Sequence, residues 1–362
     1  MNIIENLRPN PLCIAFFLAL FLVTSNNNAF SQYAKQNPSK AFKDLFVKNK
    51  EIFISIDENT LLDRPVSILQ TKNDQLIWGE KEGIKVFDQS GALIKKVELS
   101  GRGPGELIRA SQYNLTESNI TILDASQLKV IVLNNDCEFQ HEFLVAKNRT
   151  KLHAKSSKGN YYTLNELMLN SETPALSKYD STGTKIAEWG IVPLTAKTQR
   201  ANQNGGGITS DGRGNIYYSY QGDFRIWKLN TSENSISIFK NKPSYFKPIS
   251  QKELQTTQRA RKLFYLGYKG TRLTGLFFLK PNIILQQFET GNPFNKPKEE
   301  LTYYLEIWNT SGEKLASKIE IPYPIAWVDQ NSITLPTMYP SKILQQKGEI
   351  KAFKTFTIQI SK

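Results

Sequence analysis

The sequence predicts an all-β fold of repeated four-stranded antiparallel sheets, and three observations carry that expectation. The first is a phrase that returns six times along the 362 residues, a polar turn followed by an apolar, β-branched or aromatic run. It reads NDQLIW from Asn73, ESNITIL from Glu117, KGNYYTL from Lys158, RGNIYYS from Arg213, KPNIILQ from Lys280 and QNSITLP from Gln330. Asn opens the run at Asn119, Asn160, Asn215, Asn282 and Asn331, with Gln75 in the first. The spacings are 44, 41, 55, 67 and 49 residues, and a period of roughly 40–50 residues rich in short strands points to propeller blades. The second observation is a turn phrase of matching period, in which a strand ends on Asp or Asn. It appears as Phe87-Asp88-Gln89-Ser90-Gly91, Leu133-Asn134-Asn135-Asp136, Tyr179-Asp180-Ser181-Thr182-Gly183, Leu229-Asn230-Thr231-Ser232 and Trp308-Asn309-Thr310-Ser311-Gly312. Short polar side chains bond such a turn's backbone and Gly supplies positive φ. The third is residues 51–56, which alternate like a strand but stand outside the six repeats. A lone blade leaves two apolar faces wet, and an open ring leaves an edge exposed. The expectation is therefore a six-bladed β-propeller whose N-terminal strand completes the last blade.

The elements follow in order. Residues 1–31 read as a signal peptide. Arg8 precedes an unbroken apolar run of eleven, from Cys13 to Val23, short of the roughly 20 residues that span a bilayer. Ala29-Phe30-Ser31 then offers a small-x-small cleavage site before Gln32. Cys13 precedes the apolar core instead of following it, and Asn10-Pro11-Leu12 makes a poor lipobox. Export to the periplasm, the cell surface or the medium is expected, with no transmembrane segment in the mature chain. Residues 32–49 form a lead-in and residues 50–362 the propeller. Its blades are expected at 66–99, 108–145, 152–189, 208–240 and 273–321, with the sixth beginning near residue 325.

Composition bounds the function. The formal charge is +13, but it is mostly dispersed Lys, and export argues against a nucleic-acid partner. After cleavage Cys137 is the sole cysteine, so neither an internal disulfide nor a cysteine metal cluster can form. The only histidines are His141 and His153, which gives no pair at zinc-ligand spacing. No nucleophile phrase of a serine hydrolase appears. No catalytic residue, metal or cofactor is assigned. Phe87, Tyr179, Trp227 and Trp308 occupy matching third-strand positions and read as core.

Chain direction alternates within a blade, so the first–second and third–fourth strand turns share one face. The other face carries nearly every long segment: 165–174, 190–204, 241–270, 291–300 and 336–348. Binding residues concentrate on loops held by a rigid scaffold. The longest insertion opens with Ser250-Gln251-Lys252-Glu253, a capping-box pattern. One helix over about 250–266, stopped by Gly267, is expected between blades four and five, serving as a lid or as a packing brace.

The connection from blade one to blade two reads Gly101-Arg102-Gly103-Pro104-Gly105-Glu106. Together with the blade phrases and the insertion after blade four, it resembles a family of exported bacterial six-bladed β-propellers, TolB-like and NHL-like in fold. The resemblance covers most of residues 50–360. It implies export and a propeller, and supplies no catalytic residues. The glycines let the chain turn sharply, and no P-loop ending follows, so a structural turn with Glu106 bonding backbone amides is expected.

Arginines mark the candidate site. Arg64, Arg102, Arg109, Arg149, Arg200 and Arg272 all fall at or beside the start of an innermost strand. A ring of guanidinium groups at the channel mouth favours carboxylate, sulfate or phosphate. The competing reading pairs each with a local acid such as Asp63 or Glu106. Glu106, His153 and Asn202 complete the candidate set. The function expected is a monomeric, non-enzymatic module that binds an anionic glycan, peptide or protein on the long-loop face. The alternative is a lactonase-like hydrolase or lyase in the channel mouth with a divalent cation such as calcium. Glu106, Asn202 and Asn204 would then supply oxygens.

Overall fold

The computed structural model describes residues 40–57, 60, 62–116, 118–145, 150–155, 159–165, 172–198, 205–295 and 300–359. The expected signal peptide, Arg149, Arg200, Asn202 and Asn204 lie outside them, and His153 is described through its backbone alone.

Six four-stranded antiparallel sheets follow one another along the chain. Blade one is β2 (Ser67–Gln70), β3 (Leu76–Gly79), β4 (Gly83–Phe87) and β5 (Leu93–Glu98). Blade two is β6 (Ala110–Leu115), β7 (Asn119–Asp124), β8 (Lys129–Asn134) and β9 (Phe139–Leu144). Blade three is β10 (Thr150–Lys155), β11 (Tyr161–Asn165), β12 (Pro174–Tyr179) and β13 (Lys185–Ile191). Blade four is β14 (Gly207–Ser210), β15 (Asn215–Ser219), β16 (Ile226–Asn230) and β17 (Ser235–Phe239). Blade five is β18 (Arg272–Leu279), β19 (Ile283–Thr290), β20 (Thr302–Asn309) and β21 (Lys314–Ile321). Blade six is β22 (Trp327–Asp329), β23 (Ser332–Pro336) and β24 (Gly348–Ile358), with β1 (Phe46–Ile56) as its outer strand. The six Asn or Gln phrases are the second strands, and the sheet order places the N-terminal strand in the last blade.

The turn phrases work through their side chains. Asp88 Oδ1 accepts the backbone N–H groups of Ser90 and Ala92, both at 2.9 Å. Asp180 does the same for Thr182 and Thr184, and Asn309 for Ser311 and Glu313. Each turn then rests on the outer strand of the preceding blade: Gly183 lies on Phe143 and Gly312 on Phe239. Apolar burial is concentrated between neighbouring blades. Ile77, Ile84 and Val86 of blade one meet Ile120, Ile122 and Ile131 of blade two. The ring closes where Ile54, Ala352 and Phe353 of blade six meet Ile68 and Trp78 of blade one. Phe87, Tyr179, Trp227 and Trp308 are all buried.

Two elements differ from the sequence reading. The fold already begins at α1 (Lys40–Leu45), before the division at residue 50, and β1 starts at Phe46. Phe42 and Phe46 stack at 4.7 Å and bury into the core between blades five and six, which draws this stretch into the ring. At the tight-turn face Phe46 pairs with Ile358, and the Gln359 N–H donates to the Leu45 carbonyl at 2.8 Å. The expected single helix is two, α2 (Gln251–Thr256) and α3 (Ala260–Gly267). The Thr256 hydroxyl bonds back to the Lys252 carbonyl, and Thr257 and Arg259 are extended. Paired β-branched residues and a competing side-chain bond break the helix there. Ser250 caps the Glu253 N–H at 3.4 Å, while the Glu253 carboxylate turns to Lys269 and not back to the cap.

The insertion is a brace. Leu254, Leu263 and Leu266 bury with Ile249 against Leu194. Leu194 belongs to the short 3-10 helix Leu194–Thr198, in the connection between blades three and four. Lys197 Nζ donates to the Leu254 carbonyl at 2.7 Å. Among the described residues no helix is long and apolar enough to cross a membrane.

Candidate functional site

In five of the six blades the long-loop face is organised by one buried residue at the end of the second strand. In blade one it is Glu80. Its carboxylate takes Lys85 Nζ on both oxygens at 2.6 Å and the Asp63 N–H at 2.7 Å. Trp78 Nε1 donates to the Asp63 carbonyl at 2.8 Å. The backbone is thus pinned immediately before Arg64. In blade two it is Asp124, fully buried. Its Oδ2 accepts the N–H groups of Ile108 at 2.7 Å and Arg109 at 3.3 Å, and its Oδ1 those of Ser126 and Gln127. Burial works to raise the Asp124 pKa, but the bonds from Gln127, Ile108 and Arg109 outweigh it and hold the carboxyl below its ordinary value.

Blades one and two are locked together beneath these two arginines. The Tyr113 N–H donates to Ser67 Oγ at 3.1 Å, so β2 and β6 lie side by side. Arg64 stands three residues before Ser67 and Arg109 four before Tyr113, so the two occupy neighbouring positions on one rim. Neither side chain makes a hydrogen bond or ion pair among the described residues. Arg64 is exposed, yet desolvation by flanking protein pulls its guanidinium pKa down.

The other candidates are placed elsewhere. Arg272 is buried at 2 % exposure, ion-paired to Glu289 and 3.7 Å from the Tyr268 ring centroid. It belongs to the scaffold, because a guanidinium so deep needs a partner. Arg102 and Glu106 lie over the outer half of blade two, away from the inner strands. Their loop is tied there by the Gly105 N–H to Glu142 at 2.9 Å and by Lys129 Nζ to the Gly103 carbonyl at 3.2 Å. Glu106 accepts the Gly103 N–H at 2.7 Å, a turn-stabilising bond. His153 sits on inner strand β10 opposite Thr163. Among the described residues no three His, Cys, Asp or Glu are grouped to hold a metal ion.

The organising residues escaped the sequence reading, although a signal was present. Glu80, Asp124, Asn165, Tyr220 and Gln287 each follow the opening Asn or Gln of the repeat by five residues. All are buried and all but one are acids or amides. Gln287 shows the same duty: its Oε1 accepts the Ile325 N–H at 2.7 Å and its Nε2 donates to Thr274.

The fold and this face define a β-propeller that offers a loop-built surface above a ring of inner strands. The chain matches the family described as a 6-bladed beta-propeller, DUF5128, over residues 57–263, and belongs to it. Two solved structures share its architecture. One is a Bacteroides fragilis protein described as a candidate exported protein, with 13% identity and a TM-score of 0.57, covering 91% of this chain and 98% of its own. The other is a DUF4221 family member from Bacteroides vulgatus, also 13% identical, with a TM-score of 0.59, covering 87% and 98%. At such identity the likeness shows the fold alone. A virginiamycin B lyase from Staphylococcus aureus reaches 9% identity and a TM-score of 0.48, covering 86% and 99%, and lends this chain no residues. No curated protein matches the sequence.

Proposed function

We propose that the protein is an exported, non-enzymatic binding module whose long-loop face takes an anionic ligand at the mouth of the ring. The observation that carries this reading is the contrast among arginines. Arg225 is matched to Asp223 and Arg272 to Glu289, whereas Arg64 and Arg109 project from neighbouring blades with no acid partner among the described residues. Guanidinium groups carried at the starts of neighbouring inner strands suit carboxylate, sulfate or phosphate, bound in bidentate fashion. Export rests on the expected signal peptide at residues 1–31, and N-terminal sequencing of the secreted protein should begin at Gln32.

The test is calorimetric titration with inorganic sulfate and with acidic oligosaccharides. The Arg64→Ser/Arg109→Ser double variant should melt with the parent and lose binding by about ten-fold or more. Equal binding by both proteins removes the reading.

A further inference from the structure

The connection between blades four and five carries charge that the fold does not use. Residues 241–271 hold Lys242, Lys247, Lys252, Arg259, Arg261, Lys262 and Lys269 against a single acid, Glu253. All seven cations are exposed. Lys269 takes Glu253 at 2.7 Å. The side chains of Lys242, Lys247, Lys252, Arg259 and Lys262 make no hydrogen bond or ion pair among the described residues. Arg261 contacts the Tyr265 ring, 5.9 Å from its centroid. Like charges gathered this closely repel one another, and the field they make attracts a polyanion.

Beside the cations lies an aromatic platform. Phe294, from the loop after β19, stands 5.5 Å from Phe264, 5.3 Å from Tyr265 and 5.1 Å from Tyr268, each edge to face. Tyr268 is held in turn by the Arg272 guanidinium. The cluster fixes Tyr265, which is 39% exposed, in one orientation next to Arg261 and Lys262.

These two features together select the occupant. A helix that lies in a lipid surface must insert an apolar face, and the apolar face of α3 is already spent, with Leu263 and Leu266 buried against Leu194. A chain of sugar rings bearing repeated anions meets both features. Its carboxylate or sulfate groups match the guanidinium forks, and the C–H face of a pyranose ring stacks on an aromatic face.

We propose that the insertion built from α2 and α3 is a docking surface for an acidic polysaccharide. Arg259, Arg261 and Lys262 bind its anions and Tyr265 stacks on a sugar ring. The proposal rests on the long-loop face being the binding face, but it uses none of the ring-mouth arginines.

The experiment measures binding of the full chain to immobilised heparin and polygalacturonate over a range of salt. Neutral dextran, duplex DNA and phosphatidylglycerol vesicles are run in parallel. The Arg259→Ser/Arg261→Ser/Lys262→Ser variant should lose about ten-fold or more in affinity with a shallower salt dependence. Tyr265→Ala should lose several-fold with the salt dependence kept, and both losses should persist when they are introduced into the Arg64→Ser/Arg109→Ser background. Should the triple variant fail to fold, Arg259→Gln and Lys262→Gln singly carry the same comparison, since both side chains are exposed. Undiminished polysaccharide binding by the triple variant or by Tyr265→Ala overturns the proposal. So does DNA or vesicle binding as tight as that of the polysaccharides. If only the ring-mouth variant loses polysaccharide binding, the insertion proposal fails and the ring-mouth reading stands.

Discussion

The hydroxyl of Tyr113, on the inner strand of blade two, donates to the Glu80 carbonyl of blade one at 2.6 Å and to the Gly83 carbonyl at 2.9 Å. One side chain thus ties the second-to-third-strand loop of one blade to the inner strand of the next. Gly79 makes room for it: a Cβ there would sit 2.6 Å from the Tyr113 ring. Tyr113→Phe keeps the ring and removes the hydroxyl from both carbonyls, of which that of Gly83 still accepts the Glu80 N–H at 2.8 Å. A loss of about 1–3 kcal/mol is expected in urea unfolding with an unchanged slope.

The turn glycines separate two costs. At Gly183 φ is +89° and an added Cβ would lie 2.0 Å from Phe143 Cβ. At Gly212 φ is +72° with nothing within 4 Å. Gly212→Ala should cost about 1–2 kcal/mol, from the left-handed backbone alone. Gly183→Ala should cost clearly more, because Phe143 must also shift, and the difference between the two melts measures inter-blade contact.

Arginine variants sort scaffold from surface. Arg272→Met strands Glu289, whose side chain is only 13% exposed, and should destabilise by about 3–5 kcal/mol. Arg64→Ala removes no described partner and should leave the unfolding midpoint within about 0.5 kcal/mol of the parent. Denaturant titration of both variants checks the contrast.

Closure of the ring should respond to acid. Bonds from Lys351 and then Lys48 hold the Glu51 carboxyl down to about 2, from an ordinary 4.5. A depressed folded pKa gives stability that is present above pH 4.5 and lost as pH falls toward 2. Because Lys351 lies on β24, the loss should appear as opening of the β1–β24 seam at low ionic strength. Hydrogen exchange at Ile52 and Ile54 should accelerate over that window in the parent, and Glu51→Gln should remove the pH dependence.

Much of the architecture was legible because a propeller repeats its constraints. Four turns reuse one Asx geometry and the turn at Asn230 a close variant, and six second strands reuse one apolar run, so blade number and strand closure could be read directly. The site was less legible because the start of an inner strand looks alike in sequence whether its arginine is buried or free. Arg272 opens its inner strand and Arg64 stands three residues before one, yet Glu289 claims the first and nothing described claims the second. Arg102 was misplaced for a different reason: the loop's path over the outer strands is set by Glu142 and Lys129, residues far away in sequence. The break at Thr257 was hidden by a helical pattern that a threonine pair interrupts.

The meeting of Leu45 with Gln359 gives the molecule a practical polarity. Both ends of the ring leave from the tight-turn side, so a tag, surface linker or fused protein at either end hangs beneath the disc. Immobilised in that way, the protein turns the basic insertion, Arg64 and Arg109 toward the solution.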